Sequence, residues 1–241
     1  MEVHAHTHTP RKKWTHYLWE FLMLFLAVFC GFLAEYTLEH KIEADREKQF
    51  MHTMLEDLKS DTAQLNQQIN MRKSWQIRVD SLALLLNRAD RDKWGNDIYF
   101  CFQYVSGGRR FLSNDRTLQQ LKNAGNLRLV RKQKVSDAII KYDQSIRRIL
   151  YLSEIETQMK HDNRNKAYKI FLSGEVEKFR DMIRPLHNPP LLDPGPIVIN
   201  EFCGDVMHIK NLDRGVLRAE ENLLAQATQL MEVIRSEYRL K

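Results

Sequence analysis

Cys203 and His208 come closest to a catalytic pair in this chain. A cysteine thiol acts as a nucleophile when a nearby histidine removes its proton. His187, Asp193 and Asp205 lie in the same stretch and add titratable groups. Cys203, however, has an apolar context, and no catalytic signature surrounds it. An enzyme that uses the Cys203/His208 region remains one hypothesis. Because no catalytic signature is found, the sequence favours a chain without catalytic activity.

Histidine and cysteine spacing also raises the question of metal and disulfide chemistry. The amino-terminal sequence MEVHAHTHTP alternates His4, His6 and His8, and a flexible tail could wrap such residues around a transition metal. The spacing of Cys101 and Cys203 matches no zinc-ligand pattern. These two thiols could form a disulfide in an oxidising compartment. We expect no metal, no cofactor and a disordered tail without a defined role.

Positive charge is concentrated in one stretch, which we call the basic segment. It consists of Arg109, Arg110, Arg116, Lys122, Arg128, Arg131, Lys132 and Lys134. One interpretation is a solvated face balanced by acidic residues such as those of 39–61. The other is a contact surface for anionic lipid or another polyanion. A nucleic-acid partner is disfavoured, because Phe111 is the only aromatic residue between these charges.

An apolar run near the amino terminus is long enough to cross a bilayer. As a helix, the run from Tyr17 to Tyr36 would be about 30 Å long, the thickness of a hydrocarbon core. Aromatic residues flank it, and the basic triplet of residues 11–13 precedes it. A cleaved signal peptide would need small residues at its exit, and Ala34-Glu-Tyr offers no such site. A buried core helix would not explain the aromatic flanks, so the sequence favours a membrane anchor over residues 14–36.

Three residues of this anchor could contact another membrane helix. Glu20 lies near one end, where a charge costs less than at the bilayer centre. Ala27 and Gly31 form a small-xxx-small pair that lets two helices approach closely. These residues support an alternative in which the chain is a subunit of a larger membrane complex.

The orientation of the anchor follows from its flanking lysines and arginines. Three precede the apolar run directly, whereas Lys41, Arg46 and Lys48 follow it at a greater distance. Proximity favours a cytoplasmic amino terminus, with the large domain outside the cytoplasm.

The remaining chain has the pattern of an all-α protein. Apolar residues recur at spacings of three and four, which predicts helices at 38–90, 114–124, 127–172 and 205–240. A proline-rich connection is predicted at 185–200. The run from Ile98 to Val105 is continuous and aromatic, and it predicts a short strand or a loop. The predicted organisation is a tail (1–13), a transmembrane helix (14–36) and a soluble antiparallel helical bundle (37–241).

Two segments carry a resemblance to a known family. They are EADREKQFMHTMLEDLKSDTAQL and TLQQLKNAGNLRLVRKQKVSDAIIKYD. Together with the anchor, they resemble a family of bacterial single-pass envelope proteins that has no assigned activity. The resemblance covers about residues 10–170. It implies an all-helical protein of the bacterial inner membrane, and it supplies no functional residues.

These observations predict an interaction or sensor-like module that is held in a membrane. Without a catalytic motif, such a module would act through a protein partner, through self-association or through a lipid surface. The alternatives are the complex subunit and a membrane-tethered form of the enzyme described above.

Overall fold

The protein is mostly helical over the residues that the computed structural model describes, which are 13–107, 110–123, 125–178 and 183–240. Within these ranges the chain forms six α-helices, two short 3-10 helices and no β-strand. This confirms the predicted all-α class. The α-helices are α1 (Trp14–Leu86), α2 (Gly95–Ser106), α3 (Arg116–Asn123), α4 (Gln133–Ala167), α5 (Ser173–Lys178) and α6 (Pro196–Tyr238). The 3-10 helices are Arg91–Trp94 and Asn126–Leu129.

The chain divides into two compact units, Met1–Gln49 and Phe50–Lys241. In the first unit, residues 13–39 are all exposed. The second unit contains the end of α1 and all the other helices.

The first helix, α1, is uninterrupted over 73 residues. Its sequence has no proline and one glycine, Gly31, so the residues that most disfavour helices are nearly absent from it. The prediction that the apolar run continues directly into an amphipathic helix is confirmed. The helix ends at Leu86, four residues before the predicted boundary. Ile42, which belongs to the apolar spacing that predicted the helix of 38–90, is exposed.

Two clusters of buried apolar side chains form the core of the second unit. The first core cluster draws on α1, α3, α4 and α6, within residues 51–65, 118–121, 135–149 and 223–234. The second core cluster draws on α1, α2, the end of α4 and α6, within residues 75–86, 98–105, 167–171 and 199–209. In α1 and α4, the residues of the first core cluster come earlier in the sequence than those of the second. In α6 this order is reversed.

The aromatic run at 98–105 is part of a helix, so the prediction of a strand or loop is wrong. Ile98, Cys101, Phe102 and Val105 are all buried in the second core cluster. These positions follow the spacing of one helical face, and an isolated strand would have had no partner. The continuous apolar character of the run concealed this periodicity.

The last helix starts earlier than predicted, at Pro196 instead of about residue 205. Proline is well suited to the first turn of a helix, because its missing N–H has no intrahelical partner there in any case. Gly195 precedes it with a φ of 83°, a conformation that favours glycine. The proline-rich connection is therefore shorter than predicted. A short helix, α5, also begins at Ser173, where the sequence predicted only an interruption.

The proline-rich connection is fixed to the start of α2 by several hydrogen bonds. Asn188 accepts from the backbone N–H of Asn96 at 3.2 Å and donates to the carbonyl oxygen of Asp92 at 2.7 Å. The hydroxyl of Tyr99 donates to the carbonyl oxygen of Pro190 at 3.1 Å. At Gly95 the contact is so close that an added Cβ would lie 2.1 Å from the carbonyl oxygen of Pro189.

We expect Gly95→Ala to lower the free energy of unfolding by about 1–3 kcal/mol, because the new methyl group forces two backbone segments apart. The measurement is chemical denaturation in detergent micelles, with limited proteolysis between residues 183 and 196 as a local readout. Gly215→Ala is the matched control. A Cβ at Gly215 meets nothing within 4 Å, so alanine there should stabilise the helix by about 0.5–1 kcal/mol. If Gly95→Ala is as stable as the wild type, the close contact does not exist in solution.

Candidate functional site

The sequence-predicted anchor is exposed along its whole length. Of the residues described, α1 supplies the one helix long and apolar enough to cross a membrane, and none of its apolar window is buried. Nε2 of His16 lies 3.1 Å from Oε1 of Glu20, so Glu20 has a partner on its own helix. Ala27 and Gly31 are exposed, and a Cβ on Gly31 would meet no atom within 4 Å. The tail with His4, His6 and His8 lies outside the described residues.

Most of the basic segment is paired with carboxylates of the second unit. Arg109 lies outside the described residues. The ion pairs are Arg110 with Glu154 (3.0 Å), Arg116 with Asp57 (3.0 Å), Lys122 with Asp143 (3.1 Å), and Lys132 and Lys134 with Glu237 (4.0 Å each). Arg128 and Arg131 are exposed. The segment is therefore closer to a balanced, solvated face than its local charge excess suggests.

The residues around Cys203 do not form a catalytic constellation. His187 contacts Glu175 at 3.1 Å, and Asp193 accepts a hydrogen bond from Arg91 at 2.8 Å. His208 follows Cys203 by five residues on α6, which places it about 140° around the helix. His187 and Asp193 are therefore engaged by other side chains, and His208 lies on a different side of α6 from Cys203.

The two thiols of the second unit resemble structural cysteines. Cys101 is buried and Cys203 is half-buried, and burial raises the pKa of both thiols. Nucleophilic cysteines have lowered pKa values. Both are free thiols in the structure. Within the described ranges, no group of three or more histidine, cysteine, aspartate or glutamate residues could hold a metal ion.

Polar side chains of α1 hold the chain segment that leads into α3. Asp61 accepts hydrogen bonds from the Tyr142 hydroxyl (2.7 Å), the Ser113 hydroxyl (2.9 Å) and the backbone N–H of Asn114 (2.7 Å). One turn earlier, Asp57 accepts from the backbone N–H of Thr117 at 2.9 Å. Asp57 thus satisfies a donor that the start of a helix leaves free. The two segments that carry the family resemblance meet at these contacts.

A cluster of five charged side chains lies between the two core clusters, and we call it the ionic layer. It consists of Arg72 from α1, Glu156 and Lys160 from α4, and Asp213 and Glu220 from α6. Four of the five are buried, and Lys160 is nearly so: its side chain is 14% exposed. The three long helices α1, α4 and α6 therefore each contribute charged side chains to the interior of the second unit.

Arg72 is the centre of the ionic layer. Its Nε donates to Glu220 at 3.0 Å, and its Nη1 donates to Glu156 at 3.0 Å and also to Asp213. Lys160 pairs with Glu156 at 2.6 Å. Asp213 accepts a further hydrogen bond from Gln76 at 2.9 Å. One guanidinium group thus joins carboxylates of α4 and α6 to α1.

The surroundings change the pKa values of the three carboxyl groups in different directions. Burial raises the pKa of Glu220 to about 7, although Arg72 acts in the opposite direction. Burial likewise raises the pKa of Asp213. Burial also acts to raise the pKa of Glu156, but Lys160 and Arg72 outweigh it and lower this pKa. The carboxyl that contacts both cations thus has a lowered pKa, whereas the two that contact Arg72 alone have raised pKa values.

No family model, curated protein or solved structure matches this chain. The functional argument therefore depends on the residues and contacts described above.

Sequence reasoning missed the ionic layer, although the pattern contains a signal for it. Arg72 lies on the buried face of α1, between the apolar residues Ile69 and Val79. Glu220 has the same place on α6, between Val216 and Leu223. A charge at an apolar stripe position indicates a buried partner on another helix.

Proposed function

We propose that this protein is a single-pass membrane-anchored helical module without catalysis of its own. The observation that carries the proposal is the apolar part of α1, which is long enough to span a bilayer and is completely exposed. Exposed apolar area of this size is costly in water and is covered in a lipid bilayer. Residues 14–36 would therefore cross the membrane.

A buried core helix and a cleaved signal peptide both fit the apolar segment less well than an anchor does. A core helix of a soluble protein would be mostly buried, whereas residues 13–39 are all exposed. A cleaved signal peptide would require a processing site within α1, and the same helix continues into both core clusters. A permanent anchor accounts for both the exposure and the continuity.

The location and topology of the module are further parts of the proposal. The resemblance described above supports the bacterial inner membrane. The basic residues directly before the apolar segment support a cytoplasmic amino terminus and an extracytoplasmic second unit. In that unit we propose a bundle of α1, α4 and α6. The order of the core clusters along the chain supports an arrangement in which α6 is antiparallel to the other two.

The module would act through a protein or lipid partner. The basic segment is the proposed contact surface for an anionic partner. An exposed ion pair such as Arg110–Glu154 is worth about 0–1 kcal/mol, so a partner's anionic groups can replace such a carboxylate at small cost. Ala27 and Gly31, which are exposed on the anchor, are the proposed contact for a second membrane helix.

Membrane fractionation of the full chain tests the anchor. We expect the wild type to stay in the membrane pellet after an alkaline carbonate wash, which removes peripheral proteins. The double variant Leu24→Arg/Val28→Arg places two charges at the centre of the span, where charges are most costly. Most of this variant should move to the soluble fraction.

Leu38→Arg/Ile42→Arg is the matched control, because it adds the same two charges to exposed positions of α1 outside residues 14–36. This control should stay in the pellet. A wild-type chain that remains dispersed and monomeric without detergent would show that the segment is not an anchor.

A further inference from the structure

The ionic layer contains more negative than positive charge. Arg72 and Lys160 supply two positive charges, and Glu156, Asp213 and Glu220 supply three negative charges when all are ionised. Two neighbouring ion pairs do not change this balance. Lys210 pairs with Asp80, and Lys73 pairs with Glu221 at 3.0 Å, so each pair is neutral. One uncompensated negative charge would therefore remain in the interior.

An uncompensated charge in a protein interior is costly, and a group in this position generally takes up a proton instead. The hydrogen bonds and ion pairs together indicate which carboxyl would do so. Glu156 contacts both Arg72 and Lys160, and Asp213 contacts Arg72 and Gln76. Glu220 is fully buried and contacts Arg72 through Oε2, while its Oε1 has no hydrogen-bond partner among the described residues.

We propose that the ionic layer is a binding site for one proton, which Glu220 carries, and that release of this proton loosens the packing of α6 against α1 and α4. The groups that face Glu220 are Arg72 on α1, Glu156 on α4 and Asp213 on its own helix. Loss of the proton leaves a net negative charge among these groups. Water entry between the helices relieves that charge, and the packing of α6 against α1 and α4 weakens.

The pH range of this event follows from the raised pKa. In the folded chain the pKa of Glu220 is about 7, whereas its ordinary value is 4.5. Folding therefore takes up a proton between these two pH values. The stability that comes from this carboxyl is complete below pH 4.5 and is lost as the pH rises through 7. The site would thus respond to pH changes close to neutrality.

Trp75 offers a direct readout of the ionic layer. It is buried, Nζ of Lys160 lies 5.0 Å from its ring centre, and its Nε1 donates to the carbonyl oxygen of Tyr104. The test uses the full chain in detergent micelles with Trp14, Trp19 and Trp94 replaced by phenylalanine. We expect the emission of Trp75 to change with a midpoint near pH 7. Glu220→Gln, which resembles the protonated side chain, should abolish this transition.

Glu154→Gln is the matched control, because it removes an exposed glutamate from α4, and it should leave the midpoint unchanged. Asp213→Asn should move the midpoint to lower pH, since it removes a neighbouring negative charge. An unchanged transition in Glu220→Gln would assign the effect to another group and overturn the proposal.

Infrared spectroscopy of the wild type decides the question even if Glu220→Gln does not fold. A buried carboxylic acid has a carbonyl stretching band that a carboxylate lacks. We expect one such band to be present about one pH unit below the pKa of Glu220 and lost about one unit above it. If no band disappears over this interval, Glu220 does not carry the proton, and the proposal is wrong.

Discussion

Replacing Arg72 with methionine is expected to lower the free energy of unfolding by about 3–5 kcal/mol, the usual cost of removing one partner from a buried ion pair. Arg72 donates to Glu156, Asp213 and Glu220, and all of these side chains are buried. Methionine fills a similar volume but donates no hydrogen bond. The carboxyl groups would then either remain as unpaired buried charges or be protonated, and both outcomes cost free energy. Chemical denaturation of the full chain in micelles measures the effect.

The neighbouring residue supplies the control for this experiment. Lys73 forms an exposed ion pair with Glu221, and its side chain is 56% exposed. Because exposed pairs contribute about 0–1 kcal/mol, Lys73→Met should cost far less than Arg72→Met. The double variant Arg72→Met/Glu220→Gln should be more stable than the sum of the single effects predicts, since the two residues interact directly. Equal costs for Arg72→Met and Lys73→Met would mean that the ionic layer is hydrated in solution.

The apolar periodicity predicted the core of this protein well. Met54, Leu58 and Leu65 belong to the apolar spacing that predicted the helix of 38–90, and all three lie in the first core cluster. The spacing of apolar residues alone identifies the buried face of a helix, because side chains three and four positions apart lie on the same side. It does not identify what covers that face. The sequence therefore could not show which parts of α1, α4 and α6 pack together in each core cluster.

The errors have physical causes that involve long-range contacts. Ile98–Val105 is apolar at nearly every position, so a helix period and a strand were equally compatible with it. Pro196 was assigned to the connection, although proline is as well suited to the first turn of a helix as to an extended segment. The partners of the basic segment are distant in sequence: Arg110, for example, pairs with Glu154. A count of local charge could not show that these residues are neutralised.

The second large effect is expected at Asp61, which connects α1 to two other parts of the second unit. Its carboxyl group is buried and accepts from Tyr142, Ser113 and the backbone of Asn114. Asp61→Ala should lower the free energy of unfolding by about 3–5 kcal/mol, because a buried donor that loses its acceptor costs about 1–3 kcal/mol. Amide hydrogen exchange of residues 110–117 should become faster, since this segment loses its attachment to α1.

Two variants distinguish this role from simple loss of a side chain. Asp115→Ala removes an exposed aspartate that directly precedes α3 and accepts from Gln119, so it should cost about 0.5–2 kcal/mol, less than Asp61→Ala. Tyr142→Phe removes one donor and leaves Asp61 with its other two, so it should cost about 0.5–1.5 kcal/mol, the net value of one hydrogen bond. It should not accelerate exchange at 110–117, because Ser113 and Asn114 still bind Asp61. If Asp61→Ala destabilises the protein but leaves amide exchange at 110–117 unchanged, the carboxyl group does not hold the start of α3. Its contribution would then be limited to the packing of the interior.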